Sequence, residues 1–209
     1  GKPILPTVTY IDLIRTYIMT NENRIENLTI HSMYDITSDD VEFMVDQTGN
    51  TYTFMSLDNK TKYLSFSLSN LSNETDDNNA TDFDFDFNLL LKSPTVLEKS
   101  DLIEILKTKN YNFGNKMFAF KRAYLGDVFK NDILIEVDEK VRVDLIYPTV
   151  LDICLTSNMM VPLQGITNHY QYLPTSIEEC TFHSVGRAKY VYTCGAFDSK
   201  KHYICHSYI

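Results

Sequence analysis

The most reactive side chains in the sequence are the cysteines, and all four lie in the last third of the chain: Cys154, Cys180, Cys194 and Cys205. An even number of cysteines in a chain that also carries glycosylation sequons is typical of an exported protein with paired thiols. Polar residues 198–201 separate two strand-like stretches, and a hairpin in which Phe197 opposes His202 would place Cys194 opposite Cys205. The sequence therefore predicts two disulfides, Cys194–Cys205 and Cys154–Cys180.

Two of these cysteines stand near histidines, which leaves a metal site as the alternative. Cys180-x2-His183 and His202-x2-Cys205 supply thiolate and imidazole groups, which are ligands of tetrahedral zinc. The spacing differs from common zinc fingers, which combine a Cys-x2-Cys pair with a His-x3-5-His pair. We therefore expect disulfides rather than zinc, and no metal or other cofactor.

Aspartate and phenylalanine alternate from Asp82 to Phe87, in the most acidic part of the sequence. In a strand, this alternation would place carboxylates on one face and aromatic rings on the other. An EF-hand calcium loop is excluded, because Phe87 and Ser93 stand where that loop needs glycine and glutamate. The structural interpretation is a half-buried strand whose polar face is exposed to water. The functional interpretation is an acidic surface that binds a cationic protein partner, formed by Asp76, Asp77, Asp82, Asp84 and Asp86.

Five Asn-x-Ser/Thr sequons mark acceptor sites for N-glycosylation: Asn27, Asn59, Asn70, Asn73 and Asn79. Three of them cluster between residues 70 and 79, in a polar stretch that is typical of a surface loop. Together with the cysteines, they predict a secreted or extracellular glycoprotein. The chain starts with Gly-Lys-Pro and shows no leader, as expected of a mature or trimmed chain.

The sequence lacks the motifs of familiar enzyme classes. It has no Gly-x-Gly-x-x-Gly fingerprint, Walker loop, Gly-x-Ser-x-Gly elbow or His-Glu-x-x-His pair. The five histidines are scattered along the chain or fall in expected strands: His31, His169, His183, His202 and His206. We therefore expect no enzymatic activity. An enzyme whose site is not visible in sequence stays open, because catalytic groups can assemble from distant residues.

Hydrophobic periodicity indicates which elements position these residues. Apolar residues at helical spacing predict helices over Thr9–Met19 and Ser100–Lys109, with Ser100 as the N-cap of the second. Alternating runs separated by polar turns predict strands over 27–34, 41–46, 51–57, 62–71, 116–123, 133–137 and 141–146, followed by the C-terminal hairpin. Residues 147–176, which contain three prolines, read as a less regular stretch. The predicted fold is mainly β, an antiparallel β-sandwich or barrel-like meander with one or two α-helices, in one domain over residues 1–209.

Charge narrows the choice of partner. The formal net charge of -9 disfavours binding to nucleic acid and to anionic membranes, because the phosphates of both bind Lys and Arg side chains. No run of the roughly 18 apolar residues required to cross a bilayer occurs. The leading hypothesis is a secreted, glycosylated binding protein that captures a macromolecule through its acidic surface. The alternatives are a lipocalin-like carrier of a small amine or lipid, and the enzyme with a hidden site.

Overall fold

The computed structural model describes residues 4–20, 23–36, 41–70, 87–108, 119–126, 132–138, 148–160, 174–181, 188–197, 199 and 203–208. The chain divides into two compact units. Unit 1 comprises Gly1–Thr81 and Leu173–Ser184, and unit 2 comprises Asp82–Tyr172 and Val185–Ile209. That the two units make up one folding domain over residues 1–209 stays a prediction.

The described residues form four helices and ten strands. The helices are α1 Thr7–Tyr17, α2 Phe87–Leu91, α3 Lys99–Thr108 and α4 Pro148–Met160. The strands are β1 Asn23–Ile30, β2 Met44–Thr48, β3 Thr51–Met55, β4 Lys62–Asn70, β5 Val96–Glu98, β6 Phe120–Leu125, β7 Ile133–Val137, β8 Ser176–Cys180, β9 Tyr190–Phe197 and β10 Tyr203–Tyr208.

Unit 1 contains an antiparallel sheet with the strand order β2-β3-β4-β1-β8. The β2–β3 hairpin turns at Gly49, whose φ of 60° is a conformation that glycine adopts at no steric cost. Leu64, Phe66 and Leu68 alternate along β4 and are buried, as the period of a strand requires. Tyr10 of α1 is also fully buried, and its ring centroid lies 6.3 Å from that of Phe54 on β3. The predicted antiparallel meander is therefore present.

Unit 2 contains a second antiparallel sheet, with the order β10-β9-β7-β6-β5. Ile133, Ile135 and Val191 belong to the same buried cluster as apolar side chains of α3 and α4. Leu134 and Tyr192, which alternate with those residues, instead pack with Leu90 of α2. The sheet thus has helices on both faces. The mainly β prediction is confirmed as two antiparallel sheets with few helices.

The C-terminal hairpin forms with a register that differs from the prediction by one residue. Phe197 pairs with Tyr203 rather than His202, so Cys194 pairs with His206 while Cys205 pairs with Gly195. Neighbouring strand residues point to opposite faces of a sheet, so a slip of one residue separates the two thiols. The predicted Cys194–Cys205 disulfide is wrong for this reason.

The Cys154–Cys180 disulfide is also wrong, because none of the four described cysteines is in a disulfide. Cys154 is on α4 in unit 2, whereas Cys180 is the last residue of β8 in unit 1. Burial raises the pKa of the Cys180 thiol to about 11, so this side chain stays protonated and behaves as a small apolar group.

The structure also bears on two local predictions, the acidic strand over residues 82–87 and the irregular stretch over residues 147–176. Residues 82–86 of the predicted acidic strand lie outside the described residues, and Phe87 begins α2 instead of ending a strand. Residues 148–160, expected to be irregular, form α4. Proline is well suited to the first position of a helix, where its missing N–H would have no intrahelical partner in any case.

Candidate functional site

The buried polar side chains of unit 2 concentrate around α4. Among the described residues of the whole chain, the buried polar or charged side chains are those of Asp152, Thr156, Ser157 and Thr193. Three of them are on α4, and Thr193 is on β9. Because burying polar groups in an apolar core is costly, their concentration marks the candidate functional site.

The central part of helix α4, from Val150 to Ser157, is enclosed on all its sides. Every residue from Val150 to Ser157 is buried except Leu155, which is half-buried, and this run covers more than two helical turns. Val150, Ile153 and Cys154 pack with apolar side chains of α3 and the sheet. A helix that is buried all round is a core helix, so any ionisable group on it is shielded from water.

Asp152 is the one ionisable carboxyl on this helix and is only 8% exposed. Burial raises the pKa of its side chain from the ordinary 3.8 to about 7, because the charged form loses hydration. No cause other than burial contributes to this shift. At neutral pH the group therefore has both a protonated and an ionised population, which suits a side chain that exchanges protons with a substrate.

A neighbouring hydroxyl fixes the backbone beside this carboxyl. Thr156 Oγ1 donates a hydrogen bond to the main-chain oxygen of Asp152 at 2.6 Å. Because the hydroxyl has a single hydrogen, this bond leaves it none to donate to the carboxylate. The Thr156 hydroxyl therefore cannot stabilise the ionised form as a donor, in agreement with the raised pKa.

Further along the helix, three hydroxyls join α4 to the sheet. Ser157 Oγ donates to Thr193 Oγ1 at 2.7 Å, and Thr193 Oγ1 lies 3.0 Å from Ser207 Oγ on β10. Ser207 Oγ in turn donates to the main-chain oxygen of Cys154 at 3.1 Å. The chain of hydrogen bonds starts and ends on α4, and passes through two strands.

The residues predicted as functional sites are not brought together among the described residues. The predicted acidic surface lies entirely outside the described residues, which exclude Asp76, Asp77, Asp82, Asp84 and Asp86. Asn27 lies at a bulge of β1, Asn59 in the β3–β4 turn and Asn70 at the end of β4, while Asn73 and Asn79 are outside the described residues. Of the alternative zinc ligands, Cys180 and Cys205 belong to different units, and His183 and His202 are not described.

The structure gives no support to a metal site or a membrane span in the part of the chain that it describes. That part contains no group of three or more His, Cys, Asp or Glu side chains placed to hold a metal ion. It also contains no helix long and apolar enough to span a bilayer.

The architecture resembles that of several solved enzyme domains. A dehydratase domain of a mycocerosic acid synthase-like polyketide synthase superposes with a TM-score of 0.73 at 16% identity, over 99% of this chain and 80% of that one. The fold is that of a polyketide synthase dehydratase domain. The dehydratase domain from the CurJ module of curacin polyketide synthase gives a TM-score of 0.68 at 16% identity, over 98% of this chain and 80% of that one. A trans-AT polyketide synthase dehydratase domain from Brevibacillus brevis gives 0.63 at 14% identity, over 95% of this chain and 75% of that one.

Sequence comparison does not detect this likeness. No protein-family model and no curated protein matches the chain. Among the similar structures, CurK dehydratase was solved as inactive variants with either an aspartate replaced by asparagine or a histidine replaced by phenylalanine. A CurJ dehydratase variant with a histidine replaced by phenylalanine is likewise inactive.

The dehydratase-like fold corrects the functional predictions. The hypothesis of a secreted, glycosylated binding protein without enzymatic activity is wrong, since the chain has the two-sheet, hotdog-like fold of enzyme domains. The secreted or extracellular localisation is wrong as well, because it depended on disulfides that are absent from the four described cysteines. The comparisons instead support the alternative of an enzyme whose site is not visible in sequence.

Sequence reasoning missed Asp152, although the sequence carries a signal for it. A single carboxylate interrupts the apolar run Val150–Leu155, which starts two residues after Pro148, a proline that can begin a helix. Charged residues are almost never fully buried unless they are paired, so a lone aspartate in such a run is a candidate functional residue. The expectation of an irregular stretch over residues 147–176 concealed this signal.

Proposed function

We propose that this chain is a dehydratase that removes water from a hydroxylated acyl substrate of the polyketide type, with Asp152 as the group that supplies the proton. The observation that carries the proposal is the burial of this carboxyl, with its pKa raised to about 7, on the enclosed helix of a dehydratase-like fold. The inactive aspartate variant of CurK dehydratase supports an aspartate in such a role.

The chemistry requires a proton donor for the leaving hydroxyl. Water is lost when a base removes a proton from the carbon next to the carbonyl, the C–O bond breaks and a C=C bond forms. Hydroxide is a poor leaving group, so protonation of the departing oxygen lowers the barrier. Asp152 would give its proton to that oxygen and become a carboxylate. After water leaves, transfer of a proton from the base to the Asp152 carboxylate, directly or through solvent, would restore both groups.

The base is not assigned to a residue. The inactive variants of CurJ and CurK dehydratases show that a histidine is required in those enzymes. Two histidines are among the described residues. In unit 1, His31 Nε2 is hydrogen-bonded to Ser65 Oγ at 2.8 Å, and in unit 2 His206 is exposed on β10. The proposal therefore assigns a role to Asp152 alone.

Replacement of Asp152 by asparagine tests the proposal, because the amide keeps the size of the carboxyl but cannot supply this proton. We expect Asp152→Asn to lower kcat/KM for 3-hydroxyacyl thioesters by about 100- to 10,000-fold. The loss of water is followed by mass spectrometry of the product. The matched control is Asp46→Asn, which changes an exposed aspartate on β2 and should leave kcat/KM unchanged.

The pH profile gives an independent test of the same role. A general acid must be protonated to act, so kcat/KM should fall as the pH rises through about 7, the pKa of Asp152. Full activity of a folded Asp152→Asn variant would refute the role of the carboxyl. Absence of turnover by the unaltered protein with every chain length in a 3-hydroxyacyl series would refute the proposed reaction.

A further inference from the structure

The direction of the hydrogen bonds between α4 and the sheet follows from Ser207 as a donor to Cys154. Ser157 Oγ also lies 3.2 Å from the main-chain oxygen of Cys154, a longer contact than its 2.7 Å hydrogen bond to Thr193. Each of the three hydroxyls has one hydrogen to donate. Ser207 donates to the main-chain oxygen of Cys154, so it accepts in its 3.0 Å contact with Thr193. Thr193 thus donates to Ser207 and accepts from Ser157. Every hydroxyl hydrogen is then used, and Thr193 is the central member of the chain.

This chain of hydroxyls supplies a directional contact that the surrounding core lacks. Helix α4 is held mainly by apolar side chains, and apolar contacts depend on the area buried rather than on direction. Hydrogen bonds weaken steeply when their angles change, so they resist rotation and sliding of the helix. Ser157 and Thr193 are fully buried, which removes competition from water for these bonds.

The position of Asp152 depends on the rotation of α4 about its own axis. Asp152 and Ser157 are five residues apart, which places their side chains about 140° apart around the helix. They do not share a face, so the hydroxyls act on Asp152 through the helix and not by contact. A rotation of one residue, about 100°, would carry the carboxyl away from its present surroundings.

We propose that Thr193, together with Ser157 and Ser207, is a positioning residue that fixes the rotation of α4 and thereby aims the Asp152 carboxyl. The catalytic part of this inference rests on the proposed function. The raised pKa of Asp152 provides a readout of its position, since burial is its only cause. Titratable side chains on the elements packed against α4 are not among the causes of that pKa. They include Glu104 and Lys107 of α3, Glu136 of β7, Tyr192 and Cys194 of β9 and His206 of β10.

The test compares Thr193→Val with Thr193→Ser in the full chain. Valine keeps the shape of threonine but removes the hydroxyl, whereas serine keeps the hydroxyl and loses a methyl group. We expect the valine variant to lower the titration midpoint of the Asp152 carboxyl. Carbon-13 NMR measures this midpoint, and the signal is assigned by its loss in the Asp152→Asn variant. We also expect the valine variant to reduce kcat by about 10- to 100-fold with a smaller change in KM. The serine variant should restore both quantities.

A structural role alone would give a different result. If Thr193→Val lowered the melting temperature but left the Asp152 midpoint and the pH profile of kcat unchanged, the inference would be overturned. Should the valine variant fail to fold, Ser207→Ala removes the next member of the chain at the edge strand β10, and the same two outcomes apply. The carboxyl titration needs no substrate. An inactive parent protein whose Asp152 midpoint still depends on Thr193 would therefore refute the dehydratase proposal and support the positioning role.

Discussion

At the residue scale, Asp152 is a carboxyl whose location costs stability. In the folded protein its ionised form loses hydration and gains no compensating partner among the causes of its raised pKa. A protein selected for stability alone would place an apolar or amide side chain at this position. A buried carboxyl with this cost is typical of a functional site, where activity is gained at the expense of stability.

This cost predicts how stability depends on pH. The pKa of Asp152 is about 7 in the folded chain, against an ordinary 3.8. Between these values the folded state binds a proton that the unfolded state has lost, so the contribution of Asp152 to stability falls as the pH rises from about 4 to 7. Above pH 7 the full cost, on the order of 4 kcal/mol, is present. We expect Asp152→Asn to be more stable than the parent protein at pH 8, by urea unfolding followed by circular dichroism.

The control for this prediction is the exposed Asp46. Asp46→Asn should leave the difference in stability between pH 5 and pH 8 unchanged, because this side chain is on the surface of β2. A parent protein and an Asp152→Asn variant with parallel pH dependence would show that the carboxyl titrates normally, contrary to its burial.

At the element scale, α3 shows how a short helix is fixed at its start. The predicted N-cap, Ser100, lies inside the helix, and its hydroxyl donates to Asp101 Oδ1 at 3.4 Å. Asp101 Oδ2 instead accepts a 2.9 Å hydrogen bond from the main-chain N–H of Glu98, the residue before the helix. This bond is the returning half of a capping box, and a negative charge there also favours the helix dipole.

Removal of this cap gives a second stability prediction. Asp101→Ala should lower the free energy of unfolding by about 1 kcal/mol, since the Glu98 N–H loses its acceptor. Glu104→Ala is the matched control, because Glu104 is an exposed acidic residue later in the same helix. Both variants are compared by urea unfolding with circular dichroism detection, which suits a chain without tryptophan. An equal loss in both variants would show that Asp101 acts through its charge and not through the cap.

Elements defined by local chemistry could be predicted from the sequence. The β2–β3 hairpin follows from alternating residues on either side of Gly49, and α1 and α3 follow from apolar residues at helical spacing. The register of the β9–β10 hairpin could not be predicted, because the polar stretch does not show where pairing begins. Because Phe197 pairs with Tyr203, Cys194 lies opposite His206 instead of Cys205.

The candidate site depends on contacts that the sequence does not show locally. A lone aspartate after a proline can begin an irregular segment as readily as it can occupy a helix. What makes Asp152 a neutral-pH acid is its burial on α4, and this helix packs against α3, β7 and β9, which come from distant parts of the chain. Likewise, Thr193 becomes the centre of a hydrogen-bonded chain only when β9 pairs with β10 and packs against α4.

At the scale of the whole molecule, the path of the chain makes unit 1 depend on residues that follow most of unit 2. Its sheet is completed by β8, which pairs antiparallel with β1 about 150 residues after it in the sequence. Without β8, β1 would be an edge strand with one row of unpaired main-chain groups. Long-range pairings of this kind are slow to form, because the intervening loop must close first.

This topology predicts which segment of the chain a substitution in β8 destabilises. Ile177 pairs with Leu28, which is fully buried on β1, so Ile177→Asn should weaken β8 and expose that side of β1. In native-state hydrogen exchange with mass spectrometry, residues 23–30 should exchange faster than in the parent protein, whereas residues 190–197 of unit 2 should not change. Glu178→Gln, an exposed change at the next position of β8, should alter neither segment. Faster exchange of both segments in the Ile177→Asn variant would mean that the two units open together, and would contradict a local effect transmitted through strand pairing.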